Sequence, residues 1–242
     1  VSRFVKVLLV PIVAKAFPAA TYGVFDSVGV YGFLLAALGL LGLDSAVILF
    51  ARPTAAAGGE ADRRSPSQGL FLVLLAASAL GAVMALGGSQ WSRLLLDDPQ
   101  YAPAFFWAGL TVPCAAVLMY ALSLLKWEFR RGWYLAASLG SAAVSVVLTY
   151  LVAYHTTWGL PGLFAASLSG QATGAVVALI GCRDLFEFSL DPSLARRMLA
   201  IGLPFALIGV AAAFAPSLDR LFLARFHGLR EVGLYGIGQK IA

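Results

Sequence analysis

Four stretches of this chain contain no Asp, Glu, Lys or Arg: Ser65 to Ser92, Pro99 to Leu125, Gly132 to Cys182 and Met198 to Leu218. A helix crosses the hydrocarbon core of a bilayer with about 20 apolar residues. Each stretch is therefore long enough to span, and the third holds two spans with a turn at His155-Thr-Thr-Trp-Gly-Leu-Pro-Gly162 between them. Two further spans precede these runs. In lipid the backbone must satisfy its own hydrogen bonds, which restricts a chain of such long apolar segments to helices. The expected fold class is an all-α integral membrane protein, a polytopic helix bundle. Composition agrees, with 60% apolar and 12% charged residues against roughly 45–50% and about 25% in a soluble domain.

Hydropathy and turn residues predict spans at 1–17, 25–51, 68–88, 103–125, 133–154, 162–182 and 198–226, with an eighth beginning near Gly233. The loops after the second, fourth and sixth spans hold Arg52, Arg63 and Arg64, then Lys126, Arg130 and Arg131, then Arg183, Arg196 and Arg197. Those after the first, third and fifth hold Arg93 alone. The positive-inside rule thus predicts that the even-numbered loops and the amino terminus are cytoplasmic. The formal charge of +5 is a topology signal of this kind, and its scatter among short loops argues against nucleic acid as a partner. Trp91, Tyr101, Trp127, Trp133, Tyr154 and Trp158 fall at span edges, at the depth amphipathic rings prefer. Gly170 with Gly174, and Ser141 with Ser145, are small pairs that permit close helix approach. Pro113, Pro204 and Pro216 lie inside expected helices, where each removes a backbone hydrogen bond and favours a bend.

An internal repeat is also legible. Ala14-Lys-Ala-Phe-Pro-Ala-Ala-Thr-Tyr-Gly-Val-Phe25 overlies Ala224-Arg-Phe-His-Gly-Leu-Arg-Glu-Val-Gly-Leu-Tyr235 at an offset of 210 residues. The first span then corresponds to the seventh. Six spans per unit is an even number, so the two copies share one orientation, a parallel repeat about an axis along the membrane normal. The expected organisation is an amino-terminal six-helix lobe over 1–182 with its first helix truncated, a cytoplasmic interlobe loop over 183–197, and the start of a carboxyl-terminal lobe over 198–242. Arg3 and Lys6 before an apolar run ending in Ala14-Lys15-Ala16 also allow a signal-peptide reading of the amino end.

The two cysteines, Cys114 and Cys182, stand alone without metal-ligand spacing and read as small apolar fillers, so no metal site is expected. Asp26, Asp44 and Asp219 are far apart in sequence, and His155 and His227 sit singly in turns. A membrane-embedded enzyme would call for a carboxylate pair, a metal cluster or a His-based acid/base set. The expectation is that the protein is not an enzyme and carries no cofactor. Asp44 interrupts an apolar span and is expected to face the bundle in a pair. Asp219 and Arg220 are expected near the outer end of the seventh span, either as an interfacial pair or in a cavity.

Pro11 through Val28, with a basic residue followed by a Tyr-Gly-Val-Phe turn, resembles the first hairpin of polysaccharide flippases in the multidrug/oligosaccharidyl-lipid/polysaccharide exporter superfamily. Gly39-Leu-Leu-Gly-Leu-Asp-Ser-Ala-Val-Ile-Leu-Phe-Ala-Arg52 resembles the end of their second helix. The most specific stretches are Leu194-Ala-Arg-Arg-Met-Leu-Ala-Ile-Gly-Leu-Pro204, Leu218-Asp-Arg-Leu-Phe-Leu-Ala-Arg225 and Glu231-Val-Gly-Leu-Tyr-Gly-Ile-Gly-Gln-Lys-Ile241. The resemblance implies two six-helix lobes around a central cavity and alternating access to the two faces of a bacterial inner membrane. It implies an undecaprenyl-pyrophosphate-linked oligosaccharide as substrate, as in polysaccharide or O-antigen (lipopolysaccharide) biosynthesis; some relatives use a cation gradient, which makes a coupling cation a candidate partner, but no ion-site constellation is evident in this sequence. The drug/cation antiporter and peptidoglycan-precursor flippase branches remain alternatives, as does a glycan-processing enzyme from another class.

A pyrophosphate in a low-dielectric cavity calls for cations, and the guanidinium fork suits phosphate. The candidate substrate-binding residues are Arg3, Lys6, Lys15, Arg220 and Arg225, with Asp26, Asp44 and Asp219 as intramembrane acidic candidates. Arg3 lies on the order of 20 Å below the outer end of the first span, and Lys6 shares its helix face. Ser2-Arg3 also resembles the Ser-Arg pair in the first helix of peptidoglycan-precursor flippases, where the arginine lies in the cavity. Lys15 and Arg225 are equivalent positions of the repeat. Snorkelling to headgroups is the alternative role for that pair.

Overall fold

The computed structural model describes residues 16–51, 64–187 and 191–241. Every regular element among them is helical. In chain order these are α1 (Ala19–Gly39), α2 (Leu43–Ala51), α3 (Arg64–Leu86), α4 (Gly88–Leu96), α5 (Ala102–Trp127), α6 (Arg131–His155), α7 (Gly159–Gly181), α8 (Pro192–His227) and α9 (Leu229–Ile241). Six segments are long and apolar enough to cross a membrane, with α1 and α2 counting as one. The chain is a multi-pass membrane protein.

The second expected span begins earlier than predicted and is broken. Leu41 and Gly42 both take positive φ, 50° and 65°, which ends α1 and restarts the chain as α2. Only glycine adopts this backbone without steric cost. At Gly42 there is no room for a side chain either, because a Cβ would press on the backbone of Gly202 and, at 2.6 Å, on the Ala206 nitrogen of α8. Continuous hydropathy across Leu40 and Leu41 hid this break.

A second element absent from the prediction is α4. Its charge and polar residues read as loop, but Gly88, Ser92 and Leu96 are buried at a helical spacing of four. The Trp91 indole donates to Val83 O (3.2 Å), which ties the helix to the end of α3, and the Ser92 hydroxyl donates to Asp98 O in the turn that follows. Helix α8 starts at Pro192, inside the segment read as the loop 183–197, because Asp191 caps it. The Asp191 carboxylate accepts from Ser193 N at 2.8 Å, with proline at the first helical position.

Helix α5 is the most deeply buried span and α6 the most exposed. The core joins α1, α2, α3, α5 and α7 through Val24, Val28, Val47, Val73, Phe105, Val112 and Phe164. Tyr120 of α5, fully buried, donates to Pro66 O of α3 at 2.8 Å. The expected small pairs do meet. Gly170 lies on Ser145, and a Cβ at Gly174 would fall 2.6 Å from the Cβ of Ser141, so α6 and α7 pack nearly backbone to backbone. Pro113, Pro204 and Pro216 all sit within helices, as expected.

The ends of the helices form two faces. One carries Arg64, Lys126, Arg130, Arg131, Arg183, Arg196 and Arg197. There Arg130 donates to Gly181 O (2.8 Å) and to Asp184 (2.7 Å), fastening the start of α6 to the end of α7. The guanidinium holds the Asp184 carboxyl below the usual carboxylate range. The opposite face holds the starts of α1, α5, α7 and α9 and the ends of α6 and α8.

Candidate functional site

Near that opposite face α1 and α9 cross at a pair of glycines. A Cβ on Gly23 would overlap the carbonyl of Leu229 and stand 3.1 Å from the nitrogen of Gly233. A Cβ on Gly233 would overlap the carbonyl of Ala19 and stand 3.2 Å from the nitrogen of Gly23. Gly23 and Gly233, like Ala19 and Leu229, differ by the repeat offset of 210. The contact is therefore reciprocal, the form two copies of one surface adopt about a two-fold axis.

One turn along, the symmetry gives way to a polar cluster. Asp26 of α1 and Arg220 of α8 form an ion pair with Nε to Oδ2 at 3.0 Å, their side chains only 5% and 4% exposed. The other two guanidinium nitrogens each make one hydrogen bond as well. One reaches Pro216 O at 3.2 Å and another the Gln239 side-chain oxygen of α9 at 2.6 Å. The Tyr235 ring lies 5.4 Å from the guanidinium carbon, in cation–π range. Its hydroxyl donates to Asp219 at 3.1 Å. The repeat position of Asp26 is Gly236, where a Cβ would stand 2.7 Å from the Asp26 carboxylate. Glycine there lets the carboxylate reach across to Arg220. On α1, the hydroxyls of Ser27 and Tyr31 are buried without a hydrogen-bond partner among the described residues.

Of the two alternatives for Asp219 and Arg220, the pair with each other is not formed. Adjacent residues on a helix point about 100° apart, so Arg220 turns inward to Asp26 while Asp219 bonds Tyr235. Arg225 is exposed and pairs at 3.7 Å with Asp97, itself exposed, in the turn after α4. Asp44 has no ion-pair partner among the described residues. It is half-buried in the first turn of α2, where the helix dipole favours a negative charge without a cation. Arg3, Lys6 and Lys15 lie outside the described residues. Sequence reasoning missed Gln239 and Tyr235 as ligands of Arg220, although both lie within the family-like stretch Glu231 to Ile241. Cys114 is half-buried and Cys182 buried, both free. No group of His, Cys, Asp and Glu able to hold a metal occurs among the described residues.

The family described as polysaccharide biosynthesis protein matches residues 7–242. The chain belongs to that family. No curated protein matches the sequence. Two solved structures share its fold. One is the MATE multidrug transporter DinF-BH in a ligand complex, with a TM-score of 0.75 at 17% identity over 99% of this chain and 56% of that one. The other is a multidrug resistance MATE family transporter of the MOP superfamily in an inward-facing conformation. Its TM-score is 0.64 at 14% identity, over 99% of this chain and 61% of that one. The chain thus spans little more than half the length of these transporters. At such identities the likeness speaks for the fold, and the polysaccharide biosynthesis protein shares it with MATE transporters.

Proposed function

We propose that this polysaccharide biosynthesis protein is the amino-terminal lobe and the first helices of the second lobe of a flippase. The flippase carries an undecaprenyl-pyrophosphate-linked oligosaccharide across the bacterial inner membrane by alternating access. The observation that carries this reading is the Asp26–Arg220 pair. It joins the first repeat to the second, and each guanidinium nitrogen of Arg220 already makes a hydrogen bond. A phosphate takes the place of the Asp26 carboxylate on Arg220 when α8 and α9 separate from α1. Substrate binding and opening of this face are then one event, which is what alternating access requires. The Ser27 and Tyr31 hydroxyls, without a hydrogen-bond partner among the described residues, supply further donors for an anionic group. No bond is broken in this step, so the reading needs no catalytic residue.

Reconstituted full-length protein should move a lipid-linked oligosaccharide across vesicle membranes and leave cationic dyes behind. Arg220→Ala should lower transport by at least tenfold, and Arg220→Lys should recover part of it because charge returns without the fork. Dye transport without lipid-linked sugar transport would favour drug/cation antiport, the reading the MATE fold supports. Unchanged flipping in Arg220→Ala would remove Arg220 from the site.

The basic face is cytoplasmic in this proposal, with the amino terminus on the same side. In a background lacking Cys114 and Cys182, cysteines at Glu128 and Ser193 should react with an impermeant thiol reagent from the cytoplasm alone. Those at Gln100 and Thr157 should react from the other side. All four positions are exposed, and the opposite labelling pattern would overturn the orientation.

A further inference from the structure

We propose that the turn between α5 and α6 carries a binding site for the headgroup of an anionic phospholipid, built on Lys126 and Arg131. A cavity of about 360 Å³ opens there, lined by Leu125, Lys126, Phe129, Arg131, Tyr134 and Leu135. Its volume is in the range of small-ligand sites, about 300–1,000 Å³. The charges around it are unequally used. Arg130 is occupied by Asp184 and Gly181 O. Lys126 and Arg131 have no ion-pair partner among the described residues, although both are exposed. Glu128, the acid of the same turn, does not line the cavity. No side chain caps the first turn of α6, so its end adds positive potential to the two cations.

The depth of the site points to lipid rather than to a soluble anion. Trp127 and Trp133, next in sequence to lining residues, are 47% and 44% exposed, which sets this end of α5 and α6 at the headgroup level that indole rings favour. Phe129, at φ 55° and 76% exposed, turns its ring outward between them. Below the cations, Leu135 and Leu139 continue an exposed apolar track along α6, the span least covered by the rest of the bundle. A phosphodiester between Lys126 and Arg131, with an acyl chain along that track, matches the site in charge, polarity and depth. Tyr134 adds a hydroxyl at the wall. The site lies on the perimeter of the bundle and does not depend on the transport reading.

The test is thermal unfolding of the full-length protein in neutral detergent with added phosphatidylglycerol, phosphatidylcholine or inorganic phosphate. Phosphatidylglycerol should raise the Tm of the wild type by several degrees, with phosphatidylcholine and phosphate ineffective. Lys126→Gln with Arg131→Gln should abolish that rise. Arg196→Gln with Arg197→Gln removes the same charge from the same face and should retain it. An equal shift in both double variants, a shift with phosphate alone, or no lipid-dependent shift in the wild type would each overturn the proposal.

Discussion

Asp26→Ala in the full-length protein should reduce the stability of the closed form by about 3–5 kcal/mol, the cost of leaving one member of a buried ion pair without the other. Arg220 is 4% exposed in its side chain, so water does not replace the lost carboxylate in this state. Gln239 and Pro216 O remain as neutral acceptors, and neither offsets the charge. The loss should appear as a fall in the thermal midpoint in detergent and in membrane abundance. A double change, Asp26→Leu with Arg220→Met, removes both charges and keeps apolar bulk. Such replacements are often neutral, or stabilising by about 1–4 kcal/mol. The double variant should therefore regain its midpoint yet fail to transport, which separates the pair's part in folding from its part in binding. An unchanged midpoint in Asp26→Ala would show that the pair is open to water in the membrane.

Gly23→Val should impair transport at a different step. The Cβ of any residue there overlaps the Leu229 carbonyl, and backbone cannot step aside as a side-chain tip does. Overpacking of this kind costs about 1–3 kcal/mol. In the alternating-access reading proposed above, α1 and α9 part when this face opens, so the cost falls on the closed form alone. A shift of that size displaces the equilibrium by roughly 5- to 150-fold. The expected result is faster labelling of a cysteine at Tyr22, buried at 3% exposure, with transport reduced to match. Gly233→Val should give the same phenotype through the Ala19 carbonyl, as the reciprocal contact demands. Equal labelling rates in wild type and both variants would mean that this crossing does not open.

The spans were legible because membrane helices announce themselves by length and lack of charge, and the register of the repeat proved useful beyond its own argument. An offset of 210 read from Gly23 and Gly233 pairs residues that pack against each other. The kink at Leu41 and Gly42 was not legible, since leucine at positive φ has no local signal and the cause is the approach of Gly202 from α8. Helix α4 was missed because the hydropathy that marks spans is blind to a short helix lying across them. At the site, charge within an apolar helix singled out Asp26, Asp219 and Arg220. It did not say which acid would take the arginine, because that depends on where α1 passes α8, a partner 194 residues away in sequence. Gln239 was overlooked for a related reason: a neutral amide carries no cost in a span large enough to draw notice.

That separation has a consequence for how the protein is made. The ribosome emits the amino-terminal helices first, at roughly 5–20 residues per second. About 200 residues must then follow Asp26 before Arg220 enters the bilayer, a delay on the order of 10–40 s. Throughout it the first lobe holds a carboxylate in a span with no counter-ion from α8. During that interval Asp26 lacks the Arg220 cation that holds it in the finished structure, so α1 cannot settle into its final depth. Arrival of α8 and α9 supplies the cation, and the crossing at Gly23 closes over it. Assembly is thereby made conditional: a first lobe whose second half never arrives lacks the Arg220 contact of α1, a recognisable mark for membrane quality control.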